Sequence, residues 1–129
     1  MRYLGIDYGA KKVGIAVSDD SADFAFPVVV LDNSDDLVSR VSKICEEHKV
    51  GAIVVGESKD YSQKDNVIMK EIKPFVANLE KSLGLSVHMQ PEFMTSVEAE
   101  RLQGKNDMHD ASAAALILKS YLDTIRNHS

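Results

Sequence analysis

The sequence lacks the paired cysteines of a disulfide framework and the long apolar run of a membrane span. Its 129 residues include one cysteine, Cys45, so no intramolecular disulfide can form and the thiol is expected in the core. No stretch approaches the ~18 apolar residues of a transmembrane helix, and the first residues lack the apolar run of a signal peptide. These absences predict a cytoplasmic protein that makes no membrane contact.

The chain also lacks an excess of basic charge. Fifteen Lys and Arg residues against twenty Asp and Glu residues give a formal net charge of −5. Because non-specific nucleic-acid binding depends on cations that neutralise phosphates, this balance argues against broad capture of a polyanion. It does not exclude a nuclease, since a bound divalent ion offsets acidic ligands and the basic residues can form a local patch.

What is present is typical of one globular domain. Hydrophobic residues make up 44% of the sequence and charged residues 27%, which predicts a conventional core. A chain of this length buries about two-thirds of the surface that it exposes when unfolded. We therefore expect a single domain over residues 1–129, without internal repeats or low-complexity segments.

Apolar patterning predicts an α/β chain in the order strand, strand, strand, helix, strand, helix, strand, helix, with a short helix at 95–104 before the last helix. The turn at Gly9 predicts an antiparallel hairpin, and Pro27 fits an edge strand or the first residues of a strand. A continuous apolar run at 52–55 predicts a parallel strand that is buried on both faces. Ser34 or Asp35 is expected to cap the first helix. The predicted strands are 2–7, 12–18, 26–31, 51–56 and 85–89, and the long helices begin near residues 35, 68 and 110.

Three acids lie at the ends of predicted elements. Asp7 ends the first strand, Glu92 follows the fifth, and Asp110 lies in the first turn of the last helix on its apolar face. Small residues at 111–115 would let this helix approach the sheet closely, which would bring the three carboxylates together. Each acid also has an ordinary structural interpretation, as a turn acceptor, a solvated loop residue or a helix N-terminal acid.

The order of elements resembles the RNase H-like fold, with a five-stranded mixed sheet whose first three strands are antiparallel. More closely, the sequence is identified as a member of the YqgF-type family, whose members are called Holliday junction resolvase-like proteins or pre-16S rRNA nucleases. The resemblance covers nearly the whole chain. It is carried by the segments 5–9, 12–19, 54–56, 95–102 and 110–122, together with Glu92.

The resemblance implies a metal-dependent nuclease that acts on nucleic acid, with pre-rRNA favoured over DNA junctions. Asp7, Glu92 and Asp110 would be both the catalytic residues and the metal ligands, and Lys12 would meet a phosphate. Hard carboxylate ligands favour Mg²⁺ or Mn²⁺ over zinc. The protein would act as a monomer or, for junction cleavage, as a homodimer with two active sites.

Two departures from the family pattern bear on activity. Pro91 and Phe93 stand where the family commonly has an acid and an arginine, and 57–63 replaces a Leu-Pro segment and its glycine-containing loop. Transition-state stabilisation would then be weaker or be supplied by Lys59, Lys64 or Arg101. A non-catalytic binding module of the same fold is the main alternative, and a nucleotide-clamping ATPase is disfavoured because it needs two such domains.

Overall fold

The computed structural model describes residues 1–9, 11–58, 69–92 and 109–127. Within these ranges five strands and three helices follow one another in the predicted order. The short helix expected at 95–104 lies outside the described residues. The elements are β1 (Arg2–Tyr8), β2 (Lys12–Ser18), β3 (Ala25–Asp32), α1 (Leu37–His48), β4 (Val50–Ser58), α2 (Met69–Leu83), β5 (Ser86–Glu92) and α3 (His109–Asn127).

The strands form one mixed sheet in the order β3-β2-β1-β4-β5. β2 runs antiparallel to both β1 and β3, whereas β4 runs parallel to both β1 and β5. The predicted RNase H-like arrangement of three antiparallel strands followed by parallel ones is therefore confirmed. Ile53, Val54 and Val55 of β4 are fully buried, as expected for a parallel strand covered on both faces.

β3 is an edge strand, and Pro27 lies inside it. The pairing with β2 shifts register between Ile15 and Ala16, and Ala16 then faces Pro27. Proline has no N–H to donate to a ladder, so it is tolerated at an edge or beside an irregularity. The edge position predicted from Pro27 is confirmed.

Alternate residues of β1 pack against different helices. Leu4 and Ile6 are fully buried in the larger core cluster, which contains side chains of α1 and α2. Tyr3 packs in the second cluster with side chains of α3, and Gly5 also lies against α3. Because strand side chains alternate between faces, Asp7 lies on the same face of β1 as Tyr3 and Gly5, the face that α3 covers.

α3 lies close to the sheet because glycines face it. A Cβ atom on Gly5 would come within 2.8 Å of both the Ala114 carbonyl oxygen and the Leu118 Cβ. A Cβ atom on Gly56 would come within 2.5 Å of the Ile117 Cδ1. β1 therefore accepts this helix only without a side chain at position 5, whereas the contact at position 56 is with the end of the Ile117 side chain.

The N-terminus of α1 differs from the prediction. Its N-cap residue is Asp36, not Ser34 or Asp35, and Asp36 makes no side-chain cap hydrogen bond. The carboxylate accepts hydrogen bonds from the Ser34 hydroxyl and from Arg40 Nε instead. These two donors lower the pKa of Asp36, so the group stays ionised and engaged in the turn.

One further expectation concerns α1, and one further feature concerns α2. The predicted burial of Cys45 is confirmed at 6% exposure, and burial raises the pKa of its thiol to about 11, with a smaller contribution from Glu46. α2 begins at Met69 and ends at Leu83, and Pro74 lies inside it. Gly84 follows α2 with φ +68°.

No helix within the described ranges is long and apolar enough to cross a bilayer.

Candidate functional site

The candidate site lies at the edge of the sheet where the parallel strands end. β1, β4 and β5 all run toward this edge, which we call the C-terminal edge. Each helix follows a strand and returns across the sheet, so α1, α2 and α3 begin on this side. Because the N-terminus of a helix carries partial positive charge from its free N–H groups, the C-terminal edge favours anions.

Asp7 is the next-to-last residue of β1 and is half-buried. It pairs with Gly14 of β2. Its neighbours in the pairing register are apolar, since Ile6 is opposite Ile15 and Val55. The acid therefore stands at the end of an otherwise apolar central strand, as predicted, with one further residue of the strand beyond it.

Glu92 is the last residue of β5, where it pairs with Ser58 of β4. The prediction that Glu92 lies just past the strand is thus wrong, because the strand predicted at 85–89 extends three residues further and ends at Glu92 itself. Continuing the pairing from Ile6 and Val55 sets Asp7 level with Gly56, which pairs with Gln90. Position 92 lies two residues, or about 7 Å, further along and two strands, or about 10 Å, to the side.

Asp110 is the second residue of α3, and the packing of α3 shows where this helix begins. The ring of Tyr3 lies 5.8 Å from that of Tyr121, whereas Gly5 lies against Ala114. Gly5 lies equally against Leu118, so two strand residues toward the C-terminal edge correspond to between three and seven helix residues toward the start of α3. Continuing the same way brings the Asp7 level of β1 toward the first turn of α3.

β5 reaches the same helix. The ring of His88 stacks on that of Tyr121, with centroids 5.3 Å apart. Position 92 lies on the same face of β5 as His88 and is four residues closer to the C-terminal edge. The backbone thus brings positions 7, 92 and 110 to one end of the molecule, on the layer shared by the sheet and α3.

Lys12 begins β2 beside the same edge. Its Nζ donates a hydrogen bond to the Asp32 carboxylate at 2.5 Å, and both side chains are mostly exposed. The hydrogen bond from Lys12, followed by its charge, lowers the pKa of Asp32. The lysine predicted to meet a phosphate therefore has an acidic partner that the sequence interpretation did not include.

The sequence interpretation also missed Asn33. Its Nδ2 donates to the Gly9 carbonyl at 2.8 Å, and its backbone N–H donates to the Lys11 carbonyl at 2.9 Å. These bonds fasten the β1–β2 turn to the end of β3. The sequence interpretation assigned no role to Asp32 or Asn33, because their partners lie twenty or more residues away. The antiparallel register of β2 and β3 was the one signal that could have found them.

Several predicted site residues lie wholly or partly outside the described residues. Lys59, Phe93 and Arg101 are in the segments that the structure does not describe, and only the backbone of Glu92 and Asp110 is described. Among the described side chains, no three His, Cys, Asp or Glu residues are grouped so that they could hold a metal ion.

Comparison with known proteins points to one family. The family model described as RuvX, Holliday junction resolvase, matches residues 1–124. A protein of Maridesulfovibrio salexigens named "Putative pre-16S rRNA nuclease" is 34% identical, over 95% of this chain and 98% of its own length. Proteins of the same name from Nitratidesulfovibrio vulgaris and Rickettsia africae are 33% and 32% identical and cover 95% and 96% of this chain.

Solved structures share the fold at low sequence identity. T. thermophilus RuvC in complex with a Holliday junction substrate superimposes with a TM-score of 0.64 at 17% identity, over 98% of this chain and 96% of that one. The fowlpox virus Holliday junction resolvase gives a TM-score of 0.57 at 10% identity, over 96% and 99%. Both similarities support the RNase H-like fold.

Proposed function

We propose that this chain, which belongs to the RuvX family of Holliday junction resolvases, is a metal-dependent nuclease that hydrolyses phosphodiester bonds in the cytoplasm. The family is one of nucleases, and the proposal concerns the metal, the residues and the substrate. The observation that carries it is the convergence of the end of β1, the end of β5 and the start of α3 at the C-terminal edge.

The proposed ligands Asp7, Glu92 and Asp110 suit a hard divalent cation. All three are carboxylates, and the set contains no thiolate or imidazole, which favours Mg²⁺ or Mn²⁺ over zinc. Such a cation, when bound, activates water and stabilises the leaving oxygen of a phosphodiester. The carboxylates would hold it at the mouth of the layer between the sheet and α3.

Other residues of the edge would bind and orient the substrate backbone. The beginnings of three helices on this side supply positive potential for phosphates. Lys12 would contribute a charge after exchanging Asp32 for a phosphate, and Lys59 and Arg101 would take the part of the missing family arginine. The local potential can therefore attract a polyanion despite the net charge of −5.

As substrate we propose the precursor of 16S rRNA, which the names of relatives at 32–34% identity specify for those proteins. The family description supports a four-way DNA junction as the second candidate. The two substrates make different demands on assembly, because a junction needs two symmetric cuts and hence a dimer, whereas trimming of one RNA strand needs one active site. Static light scattering of the protein with and without junction DNA would distinguish the two.

The test is cleavage of labelled precursor rRNA and of a four-way DNA junction, each with Mg²⁺ or Mn²⁺ and with EDTA. We expect metal-dependent cleavage of the RNA by the wild type and a loss of at least a hundredfold in Asp7→Asn and in Asp110→Asn. The matched control is Glu47→Gln, an exposed acid at the far end of α1, which should cleave as the wild type does.

Each other outcome has a definite meaning. Junction cleavage without RNA cleavage would replace the substrate and keep the chemistry. Cleavage that survives in Asp7→Asn and is equal in EDTA would refute the metal site. A folded wild type that binds RNA but cleaves neither substrate would make the chain a binding module, in which Pro91 and Phe93 have replaced catalytic positions.

A further inference from the structure

A second concave surface lies on the other side of β1 from Asp7. Tyr8, the next residue, has the opposite parity, and its ring packs on that of Phe75 at 4.9 Å between centroids. These two rings, the first turn of α1 and the first half of α2 enclose a groove of about 250 Å³, which we call the Tyr8–Phe75 groove. Because α1 and α2 both begin at the C-terminal edge, the groove opens beside the proposed catalytic site.

We propose that the Tyr8–Phe75 groove binds one unpaired nucleobase of the substrate, specifically a base that carries an exocyclic amino group, next to the cleaved bond. This inference rests on the proposed function in so far as the groove and Asp7 would contact the same strand of nucleic acid. It adds a base preference to a site that otherwise reads only the phosphate backbone.

The size and floor of the groove fit a single base. Its volume is below the range of about 300–1,000 Å³ found for sites of drug-sized ligands. The floor is apolar and aromatic, since Leu37 and Phe75 are 4% and 6% exposed and Tyr8 is half-buried. Proteins that read single-stranded nucleic acid commonly stack unpaired bases on accessible aromatic rings, and of these two rings the half-buried Tyr8 is the one that a base can reach.

The rim of the groove favours hydrogen-bond donors on the ligand. Asp35 and Glu71, both exposed, contribute carboxylates, and Asn78 contributes an amide. No lysine or arginine is among the described residues that line the groove. Ionised carboxylates accept hydrogen bonds only, so Asp35 and Glu71 suit an amino group and repel both a phosphate and a carbonyl oxygen, whereas the Asn78 amide can pair with either group.

The charge pattern therefore separates phosphate binding and base binding onto two neighbouring surfaces. A phosphate is disfavoured beside Asp35 and Glu71, at the starts of α1 and α2, but is favoured on the α3 face of the same edge, beside Lys12 and the start of α3. A strand that crosses the end of β1 would leave its backbone at that edge and turn one base over Tyr8. Only an unpaired base can turn in this way, which selects single-stranded RNA or an open junction over continuous duplex.

Cytosine and uracil provide a sharp test because they have nearly the same shape and differ at position 4, where cytosine has an amino donor and uracil a carbonyl acceptor. The affinities of oligo(C) and oligo(U) RNA of equal length are measured with the wild-type protein in EDTA, which keeps the strands intact. We expect oligo(C) to bind roughly tenfold more tightly, the size of one good base contact.

The variant Glu71→Gln should lower this ratio toward one, because a glutamine amide can also donate to the uracil carbonyl. Asp35→Asn repeats the test on the other carboxylate. Glu80→Gln is the matched control: it makes the same change of charge on the same helix, at an exposed residue outside the groove. It should shift both affinities equally and leave the ratio unchanged.

A ratio near one in the wild type, a preference for oligo(U), an absence of binding, or a ratio unaffected by both groove variants would overturn the proposal. The outcome is independent of the nuclease test. Asp7-dependent cleavage with a flat ratio would keep the nuclease and reject the groove, whereas the expected ratio in a protein that cleaves nothing would keep the groove and reject the nuclease.

Discussion

The ion pair between Lys12 and Asp32 keeps the lysine ammonium group on a carboxylate beside the C-terminal edge. Both side chains are more than half exposed, so water screens the pair and its contribution to folding is small. Its larger effect is on binding, because Asp32 competes with any phosphate for the lysine. The low pKa of Asp32 keeps this competition in force at neutral pH.

We predict that Asp32→Asn strengthens RNA binding by removing a carboxylate that competes with phosphate for Lys12. In a plot of log affinity against log salt concentration, the slope should become steeper by about one, the effect of one more phosphate contact. Asp20→Asn is a matched control, because Asp20 pairs with Arg2 at the opposite end of the sheet. A gain in slope that persists in Lys12→Ala/Asp32→Asn would contradict the assignment to Lys12.

The buried thiol of Cys45 makes stability depend on alkaline pH. Its pKa is about 11 in the folded protein against 9.0 for an ordinary thiol, so between these values the unfolded chain has lost a proton that the folded chain retains. The free energy of unfolding should therefore fall as pH rises from about 9 to about 11. Urea titrations across this range test it, with Cys45→Ala as the variant that should lack this component.

Single residues were predictable from sequence where a local pattern defined them. Cys45 falls on the apolar stripe of a helix, and Asp7 interrupts an apolar strand beside glycines, so both positions were assigned correctly. Asn33 and Asp32 act through partners that are distant in sequence, and the capping residue of α1 depended on competition among adjacent polar side chains. The roles of Asp32 and Asn33 were missed, and the predicted cap was wrong, because both depend on contacts that form only in the folded protein.

The contact between α3 and the sheet is the element-level feature that most affects the site. The helix rests directly on β1 and β4, at Gly5 and Gly56. Its first turn, with Asp110, is held near the C-terminal edge only while this close packing persists. Changes to either glycine should therefore affect folding and the proposed activity together.

We predict that Gly5→Ala destabilises the fold by about 1–3 kcal/mol, the usual effect of an inserted methyl group that forces backbone to move. The new Cβ would meet the Ala114 carbonyl oxygen at 2.8 Å. In Gly51→Ala, the matched control, the neighbours are atoms of the exposed Met1 side chain, which can rotate away. Equal Tm values for the two variants would show that α3 can shift freely.

The contact at Gly56 is made by the far end of a side chain and so permits a rescue. Gly56→Ala should be destabilising, because its Cβ would lie 2.5 Å from Ile117 Cδ1. Ile117→Val removes that atom at a cost of about 0.5–1.5 kcal/mol in the wild type. In the Gly56→Ala background the same change should be neutral or stabilising, and an additive double-mutant cycle would argue against direct contact.

Elements were predicted better than their connections. The order of elements along the chain, the β1–β2 hairpin and the parallel β4 follow from local apolar patterns and the turn at Gly9, and all are confirmed. The resemblance to the YqgF-type family is likewise confirmed by the family match and the relatives. The exact ends of strands were less predictable, because Tyr8 and Glu92 extend pairing that depends on neighbouring strands.

The whole molecule is polarised along its strands. Helix N-termini and the three proposed metal ligands lie at one end, whereas the β2–β3 turn lies at the other, since β2 runs antiparallel to β1. A divalent cation at the C-terminal edge would relieve repulsion among the carboxylates of the folded state. Cation binding should therefore stabilise the entire fold by mass action.

We predict that Mn²⁺ at about a hundred times its Kd raises the free energy of unfolding by about 2.7 kcal/mol, an increase in Tm of roughly 5–15 °C for a domain of this size. Differential scanning fluorimetry measures it. Asp7→Asn should lose the shift and Glu47→Gln should keep it. A shift of equal size in Asp7→Asn would assign the bound ion to another location.

The polarity of the sheet also has a practical consequence. The N-terminal amine of Met1 donates to the Asp20 carbonyl at 2.9 Å, so the start of the chain and the β2–β3 turn adjoin each other far from the C-terminal edge. Ser21 in this turn is exposed, whereas Cys45 is buried. A fluorophore or surface linker coupled at Ser21→Cys would therefore attach at one site and leave the opposite end open to a long nucleic acid.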